Sequence, residues 1–398
     1  MDLPNSAKSL KWRSTRGVRG EKRVDCCKMW TVALVLVALQ VATASYATLS
    51  RPSVSTPRPI SMAVVMEDTS FAKEILDDAK NEEEQEFDAA IGVMTAQSRS
   101  AEAIAELRKA ADAHVAALRD ADKPSVTAVL DARGKSKPSG KLAKALRKPS
   151  GTMSLVGEGY ERDEISLGGY DLNDPTYLSE QFRVGGCVAV SALGPGCAGN
   201  LGAEALNLIA AEQELARGNF PGPLPAISRA LVVDEIQLAE AAADGAFGAV
   251  VPYNLNGKEG TQQLMAAAGE FGLEAMVRVC DKAELEAAME LEPSIVVFGD
   301  CTLPEAVEML EVVPSGKAGP VTLADMAYLD VRGAWKLRDA GFNAIFTGKS
   351  LLDVCIRDRV PPSALCKAVL SKGSVKYGLG MQKGRLEGSK EFLGSISM

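Results

Sequence analysis

The chain holds a single histidine, His114, in 398 residues. A zinc site built from imidazoles has almost nothing to draw on, and a Ser-His-Asp or Cys-His nucleophile would rest on that one ring. The eight cysteines (Cys26, Cys27, Cys187, Cys197, Cys280, Cys301, Cys355 and Cys366) include no CxxC pair, so no resident metal is expected. Those on or near apolar runs, Cys187, Cys280 and Cys301, read as core thiols. There is no surplus of basic charge either. The formal net charge is −8, which argues against a general nucleic-acid binder. Aromatic residues make up only 5% while glycine reaches 36 residues, a balance suited to tight βα turns lined by small aliphatic side chains. With 46% hydrophobic and 24% charged residues, the chain is neither disordered nor collagen-like nor a disulfide scaffold. Its length suits one large domain with extras or two ordinary ones.

Long apolar runs are also scarce. The one near the start, Trp30 to Ala42, is interrupted only by Gln40 and is short for a bilayer span. It follows a basic stretch (Lys8 to Lys28) and precedes the small residues Ala44, Ser45 and Ala47, the order of a secretory signal, with a single membrane anchor as the alternative. Tyr46–Met66 then carries Ser, Thr, Pro, Arg51 and Arg58 but no Asp or Glu, which is transit-peptide composition. Residues 1–66 together read as a bipartite leader addressing a plastid, with no stable membrane insertion once it is removed. Residues 67–140 form a helical extension and linker. Ile75, Phe87, Ile91 and Met94 recur at helical spacing, as do Ile104, Leu107, Ala111 and Leu118. The Lys/Ser/Gly/Pro-rich stretch Gly134–Gly151 reads as a linker around a short helix, Leu142–Leu146.

From Ser154 a unit repeats: short apolar run, turn, Ala/Leu/Glu helix. The runs are Ser154–Glu158, Cys187–Leu193, Ala226–Val232, Ala249–Tyr253, Ala275–Val279, Ile295–Gly299, Pro320–Ala324 and Ala344–Gly348. Strands covered on both faces should be continuously apolar, as Ile295-Val296-Val297-Phe298 is. Eight such units over about 200 residues predict an α/β fold, a (β/α)8 TIM barrel across residues 141–358. An open doubly wound sheet is the alternative, but the glycine-rich first turn is absent. Residues 359–398, rich in Gly, Ser and Lys toward the end, read as a flexible tail.

In a barrel the chemistry gathers where strands end. That rule selects Glu158, Tyr160, Ser191, Arg229, Tyr253, Asn254, Arg278, Asp300, Asp325 and the turn Thr347-Gly348-Lys349-Ser350. The last precedes a helix expected near Leu351, so its amides suit a phosphate, or equally form a well-capped turn.

The order of these pieces resembles indole-3-glycerol-phosphate synthase, from about Lys141 to Leu352. The resemblance is carried by Leu142–Leu146 with Ser154–Glu158, by Tyr170–Pro175 with Gly185–Ser191, by Pro225–Asp234, by Gly272–Val279 and by Asp339–Gly348. It implies ring closure on carboxyphenylamino-deoxyribulose phosphate with loss of CO₂ and water, a carbon–carbon carboxy-lyase step of tryptophan biosynthesis. It implies a small phosphorylated substrate, no cofactor and no nucleic acid. Oligomeric state is left open.

Position by position, the likeness at the site is partial. Glu158 falls on the family's first-strand glutamate, but Tyr160 stands where a lysine is expected. The third-strand lysine falls on Arg229, the fifth-strand glutamate on Arg278, and the sixth-strand asparagine near Gly299. The Ser-Glu-Ser-Gly motif of the seventh strand reads Ala324-Asp325-Met326-Ala327. The Ser-Pro-Ser loop reads Asp163-Glu164-Ile165, and Gly348 and Ser350 match. A catalytic set would then comprise Glu158, Tyr160, Arg229 and Asp325, with Ser191, Arg278, Gly348 and Ser350 binding substrate and its phosphate. Arginine keeps a charge but barely releases a proton, so Arg229 is an electrophile at best, and Tyr160 is left as the acid. Arg278 reverses a charge, and pairing with Glu158 or Asp325 is its structural alternative. Three functions remain compatible: a synthase with an altered site, a barrel kept for binding or structure, and another sugar-phosphate lyase or isomerase.

Overall fold

The structure is a computed structural model that describes residues 92–148, 152–162, 166–167, 170–314, 319–326 and 331–371. The leader, the first acidic helix, the Asp163–Ile165 turn and the end of the tail lie outside the described residues.

Eight parallel strands close into a barrel. They are β1 (Ser154–Glu158), β2 (Ala189–Leu193), β3 (Ala226–Arg229), β4 (Gly248–Pro252), β5 (Glu274–Val279), β6 (Ile295–Gly299), β7 (Val321–Asp325) and β8 (Ala344–Phe346). Outside them run α4 (Pro175–Val184), α5 (Ala205–Leu215), α6 (Glu235–Ala243), α7 (Tyr253–Glu270), α8 (Lys282–Met289), α9 (Leu303–Leu310), α10 (Val331–Ala340) and α11 (Gly348–Asp358). The predicted runs and the observed strands agree to within a few residues at each end. Two helices start earlier than their apolar periodicity suggests. The helix expected from Gly260 begins at Tyr253 and breaks at Gly257, and the one expected near Leu351 begins at Gly348.

Strand alternation decides which side chains face the lumen. Val156, Ala189, Ile227, Met276, Val297, Leu323 and Ala344 belong to one buried cluster inside the barrel. Two residues further along each strand, on the same face, stand Glu158, Ser191, Arg229, Arg278, Gly299, Asp325 and Phe346. The register brings Glu158 level with Ser191, and Gly299 level with Asp325. The polar set therefore forms a layer on top of an apolar one, and the strands' outward faces pack under the helices in a second, larger cluster.

The segment preceding β1 folds onto the barrel at both ends. Helix α1 (Ala101–Ala121), capped by the Ser100 hydroxyl accepting from the Ala103 amide, crosses the side where strands end. Arg99 donates to the carbonyl of Cys280 (3.2 Å) and to Glu305 (3.0 Å), and Arg108 donates to the carbonyl of Leu255 (2.9 Å). Arg119 pairs with Asp234, and His114 sits between Glu240 and Gln237. After α2 (Pro124–Asp131), the short helix expected at Leu142–Leu146 forms and acts as a plug. In α3 (Lys141–Leu146), Leu142 and Leu146 are fully buried in the lumen cluster. Spacing of i and i+4 gave the pair one face, but only the barrel floor gives that face a place to go. The second and third amides of α3, on Leu142 and Ala143, donate to the two carboxylate oxygens of Glu274 at 2.8 and 2.9 Å. At the other terminus, the residues expected as a tail from 359 begin with a helix, α12 (Pro362–Ser371), whose Leu365, Cys366 and Val369 are buried.

The Glu274 clamp makes a prediction. Glu274→Gln removes the charge and presents an amide N–H to one of the α3 amides, leaving a buried donor unsatisfied. Stability should fall by about 1–3 kcal/mol, read as a lower denaturant midpoint with unchanged slope.

Candidate active site

At the mouth, five charged side chains from five strand ends alternate in sign. Glu158, 1% exposed, accepts from Arg229 Nη1 through both oxygens (2.7 and 2.6 Å) and from the Ser191 hydroxyl (2.8 Å). Arg229 Nη2 reaches on to Asp325 Oδ2. The same oxygen accepts from Arg278 Nε at 3.1 Å, and Arg278 Nη2 pairs with Asp300 Oδ2 at 2.7 Å. The result is a ladder, Glu158–Arg229–Asp325–Arg278–Asp300, in which each arginine bridges two carboxylates. The Arg229 guanidinium also lies over the Phe346 ring, 4.4 Å from its centroid, a favourable cation–π placement. Arg278 therefore does pair with Asp325, one of its two expected partners. Its other partner is Asp300, not Glu158.

Gly299 explains how Arg278 fits. A Cβ built on Gly299 would stand 2.4 Å from Arg278 Nε and 2.6 Å from Cζ, far inside contact distance. The arginine at 278 and the glycine at 299 are thus two halves of one arrangement.

The electrostatics follow from burial and partners. Burial pushes the Glu158 carboxyl up, against the pull of Arg229. Burial also opposes the charge on Arg229, but Asp325 and Glu158 more than offset it, holding that guanidinium above its ordinary value. Arg278 is likewise held high, against burial, by Asp300, Cys280 and Asp325. The Tyr160 phenol, buried and beside Glu158, is pushed up to about 12. A phenol held there is a weaker acid than a free one, which bears on the role expected of Tyr160 without deciding it. Asp300 moves the other way, drawn below its usual value by Arg278.

The turn after β8, where the sequence offers amides to a phosphate, leads straight into α11. Gly348 adopts φ of 58°, the left-handed region that favours glycine, and opens α11. The Thr347 hydroxyl accepts from the Glu158 amide (2.9 Å), tying this turn to the mouth. The Ser350 side chain lies outside the described residues. Sequence reasoning missed Arg162. Its side chain is only 4% exposed, pairs with Asp353, and donates from Nη2 to the Lys349 carbonyl at 2.9 Å. It missed Phe346 as the seat of Arg229 as well. The alternation of β8 was the available signal for Phe346, whereas Arg162 lies in a loop with no periodicity to read. Among the described residues, no group of His, Cys, Asp and Glu side chains is arranged to hold a metal ion.

No family model matches the chain. It is nevertheless similar to indole-3-glycerol phosphate synthases. The protein of that name from Staphylococcus saprophyticus is 27% identical over 133 residues, 32% of this chain and 51% of that protein. The one from Roseiflexus sp. is 27% identical over 143 residues, 34% of this chain and 52% of that protein. The chain spans about half the length of the curated relatives it matches. Among solved structures, orotidine 5'-phosphate decarboxylase from Pyrococcus horikoshii aligns with 55% of this chain and 97% of its own, at 15% identity and a TM-score of 0.38.

Two predictions come from the ladder. Asp325→Asn strips the shared counter-charge from two buried arginines and should cost about 3–5 kcal/mol in unfolding free energy. Asp300→Asn, at the more open end, should cost less, and its cost should depend on pH. Because the folded-state pKa of Asp300 lies below that of the unfolded chain, its contribution is fully present above about pH 4 and fades as the pH falls through the lower folded value. The difference in unfolding free energy between wild type and Asp300→Asn should be flat from pH 5 to 7 and shrink below 4.

Proposed function

We propose that this chain is a barrel of the indole-3-glycerol-phosphate synthase type whose mouth no longer performs ring closure, and that it acts in the plastid as a non-catalytic binding or structural protein. The observation that carries this reading is the closed ladder. Ring closure needs a proton donor near the substrate carbonyl and cationic groups free to meet substrate. Here the two positions expected to carry lysine hold Tyr160 and Arg229. The first is a phenol near 12, and the second is committed to Glu158 and Asp325. Three carboxylates against two guanidinium groups leave the mouth poorly disposed toward a phosphorylated anion. Losing one positioned acid or base costs about 10²–10⁴-fold in rate, and more than one is lost, although such losses do not simply multiply. The plastid address rests on the order of basic, apolar and acid-free segments before Met66.

A second reading has one observation in its favour. Glu158 falls on the first-strand glutamate that the resemblance expects, and burial pushes its carboxyl up, the direction a general acid requires. Under that reading the chain is a divergent synthase, with Glu158 and Asp325 moving protons.

The test is turnover of carboxyphenylamino-deoxyribulose phosphate by the chain expressed from Met66, followed by indole fluorescence. The expected result is no rate above background and no substrate-induced rise in Tm. Turnover that collapses in Glu158→Gln would establish the synthase reading instead.

A further inference from the structure

Among the described residues, the acidic chain carries a strongly basic stretch. From Arg133 to Lys148 there are seven Lys and Arg residues and no Asp or Glu. Arg133 is spoken for by Glu235 and Glu270, and Arg147 donates to the Gly319 carbonyl. The five lysines, Lys135, Lys137, Lys141, Lys144 and Lys148, are all exposed, and none has an ion-pair partner among the described residues.

Their placement follows from the plug. Leu142 and Leu146 point into the lumen, so Lys141 and Lys144, on the opposite face of α3, point away from the barrel floor. Lys135 and Lys137 belong to the same end. The Gly134 amide donates to the carbonyl of Glu270 at the end of α7 (3.0 Å), and Ser136 lies against Gly272. Helices in this fold run antiparallel to the strands, so helix C-termini and strand starts share one face. That face also exposes large apolar side chains. Leu215, ending α5, is 81% exposed, Phe220 on the way into β3 is 100% exposed, and Phe247 before β4 is 37% exposed. Lys141 Nζ sits 5.8 Å from the Phe247 ring centroid, so the basic and apolar elements adjoin.

We propose that this floor of the barrel, the end opposite the charged mouth, docks on an anionic membrane surface. Lysines would meet lipid head groups while Phe220, Leu215 and Phe247 enter the interface, the pairing of cationic and apolar groups that holds peripheral proteins at charged bilayers. Leu215 and Phe220 stand out singly, at 81% and 100% exposure, rather than lining a groove, a form suited to insertion among lipid head groups. No described helix is long and apolar enough to cross a membrane, so the contact lies on the surface. The inference is independent of whether the mouth is catalytic.

The experiment is vesicle co-sedimentation with the chain from Met66, which contains the whole compact unit Leu76–Met398. Vesicles of phosphatidylcholine with phosphatidylglycerol are compared with phosphatidylcholine alone. Each lysine near the surface contributes about fivefold to partitioning. The triple variant Lys137→Glu, Lys144→Glu, Lys148→Glu should therefore lose at least about a hundredfold, with Tm unchanged because all three side chains are exposed. Binding should vanish in high salt, and Phe220→Ser should weaken it separately. Failure to sediment with the anionic vesicles overturns the proposal. So does sedimentation that the triple variant shares, or equal binding to neutral vesicles. Lysine-dependent capture of a polyglutamate peptide without any vesicle binding would assign the face to an acidic protein and overturn it equally.

Discussion

A guanidinium group inside a barrel cannot be left without counter-charge, and the mouth of this protein holds two of them. Arg229 and Arg278 occupy inward-facing positions directly above an apolar layer. Each must therefore find carboxylates among its neighbours or force water into the lumen. Asp325 lies between them and serves both with one oxygen. Every other feature of the mouth accommodates that choice. Gly299 clears the volume Arg278 occupies, Phe346 provides the surface under Arg229, and Ser191 satisfies the lone pair of Glu158 that the arginine leaves open. Asp300 adopts φ of 48° at the end of β6, an uncommon conformation for a residue with a side chain, and closes the ladder.

Stability alone does not account for such a network. Buried ion pairs barely recover the desolvation of their charges, and well-packed apolar groups of similar volume often do as well or better. The ladder is better understood from the carboxylates outward. Glu158 and Asp325 stand where the synthase resemblance expects carboxylates. Two acids buried in the mouth need positive charge beside them. Arginine supplies it with a planar fork that bridges two acceptors at once. What it cannot supply is a labile proton. The groups that neutralise the buried carboxylates of the mouth are therefore not groups that exchange protons at neutral pH.

The parts legible in the sequence were those governed by periodicity. Continuous apolar runs such as Ile295–Phe298 announced strands covered on both faces, and the strand-end rule found all five members of the ladder before any contact was known. What escaped depended on tertiary surroundings. The Leu142/Leu146 pair looked like a short helix in a linker because nothing local says that a barrel floor needs filling. The upward push on the Tyr160 phenol could not be read because its burial beside Glu158 is a property of the closed mouth. Helix α11 was placed too late because Gly348 breaks the apolar pattern while its backbone already begins the turn. Arg162 sits in an irregular loop, and only the fold carries it to the carbonyl of Lys349.

The plug helix joins the two ends of the molecule in one short element. Its inner face completes the lumen on which the polar layer rests, and its outer face presents lysine to solvent. Glu274 fixes both at once, because holding the second and third amides of α3 sets the rotation of the helix about its own axis. A helix turned by one residue would drive a lysine toward the lumen and expose a leucine, and burying an unpaired ammonium there is prohibitive. The orientation of the lysines on the barrel floor is therefore a consequence of core packing. It needs no carboxylate to hold it: Lys135 meets only the Asp131 carbonyl and Lys141 the Phe247 ring, which leaves their charge available to an anionic surface.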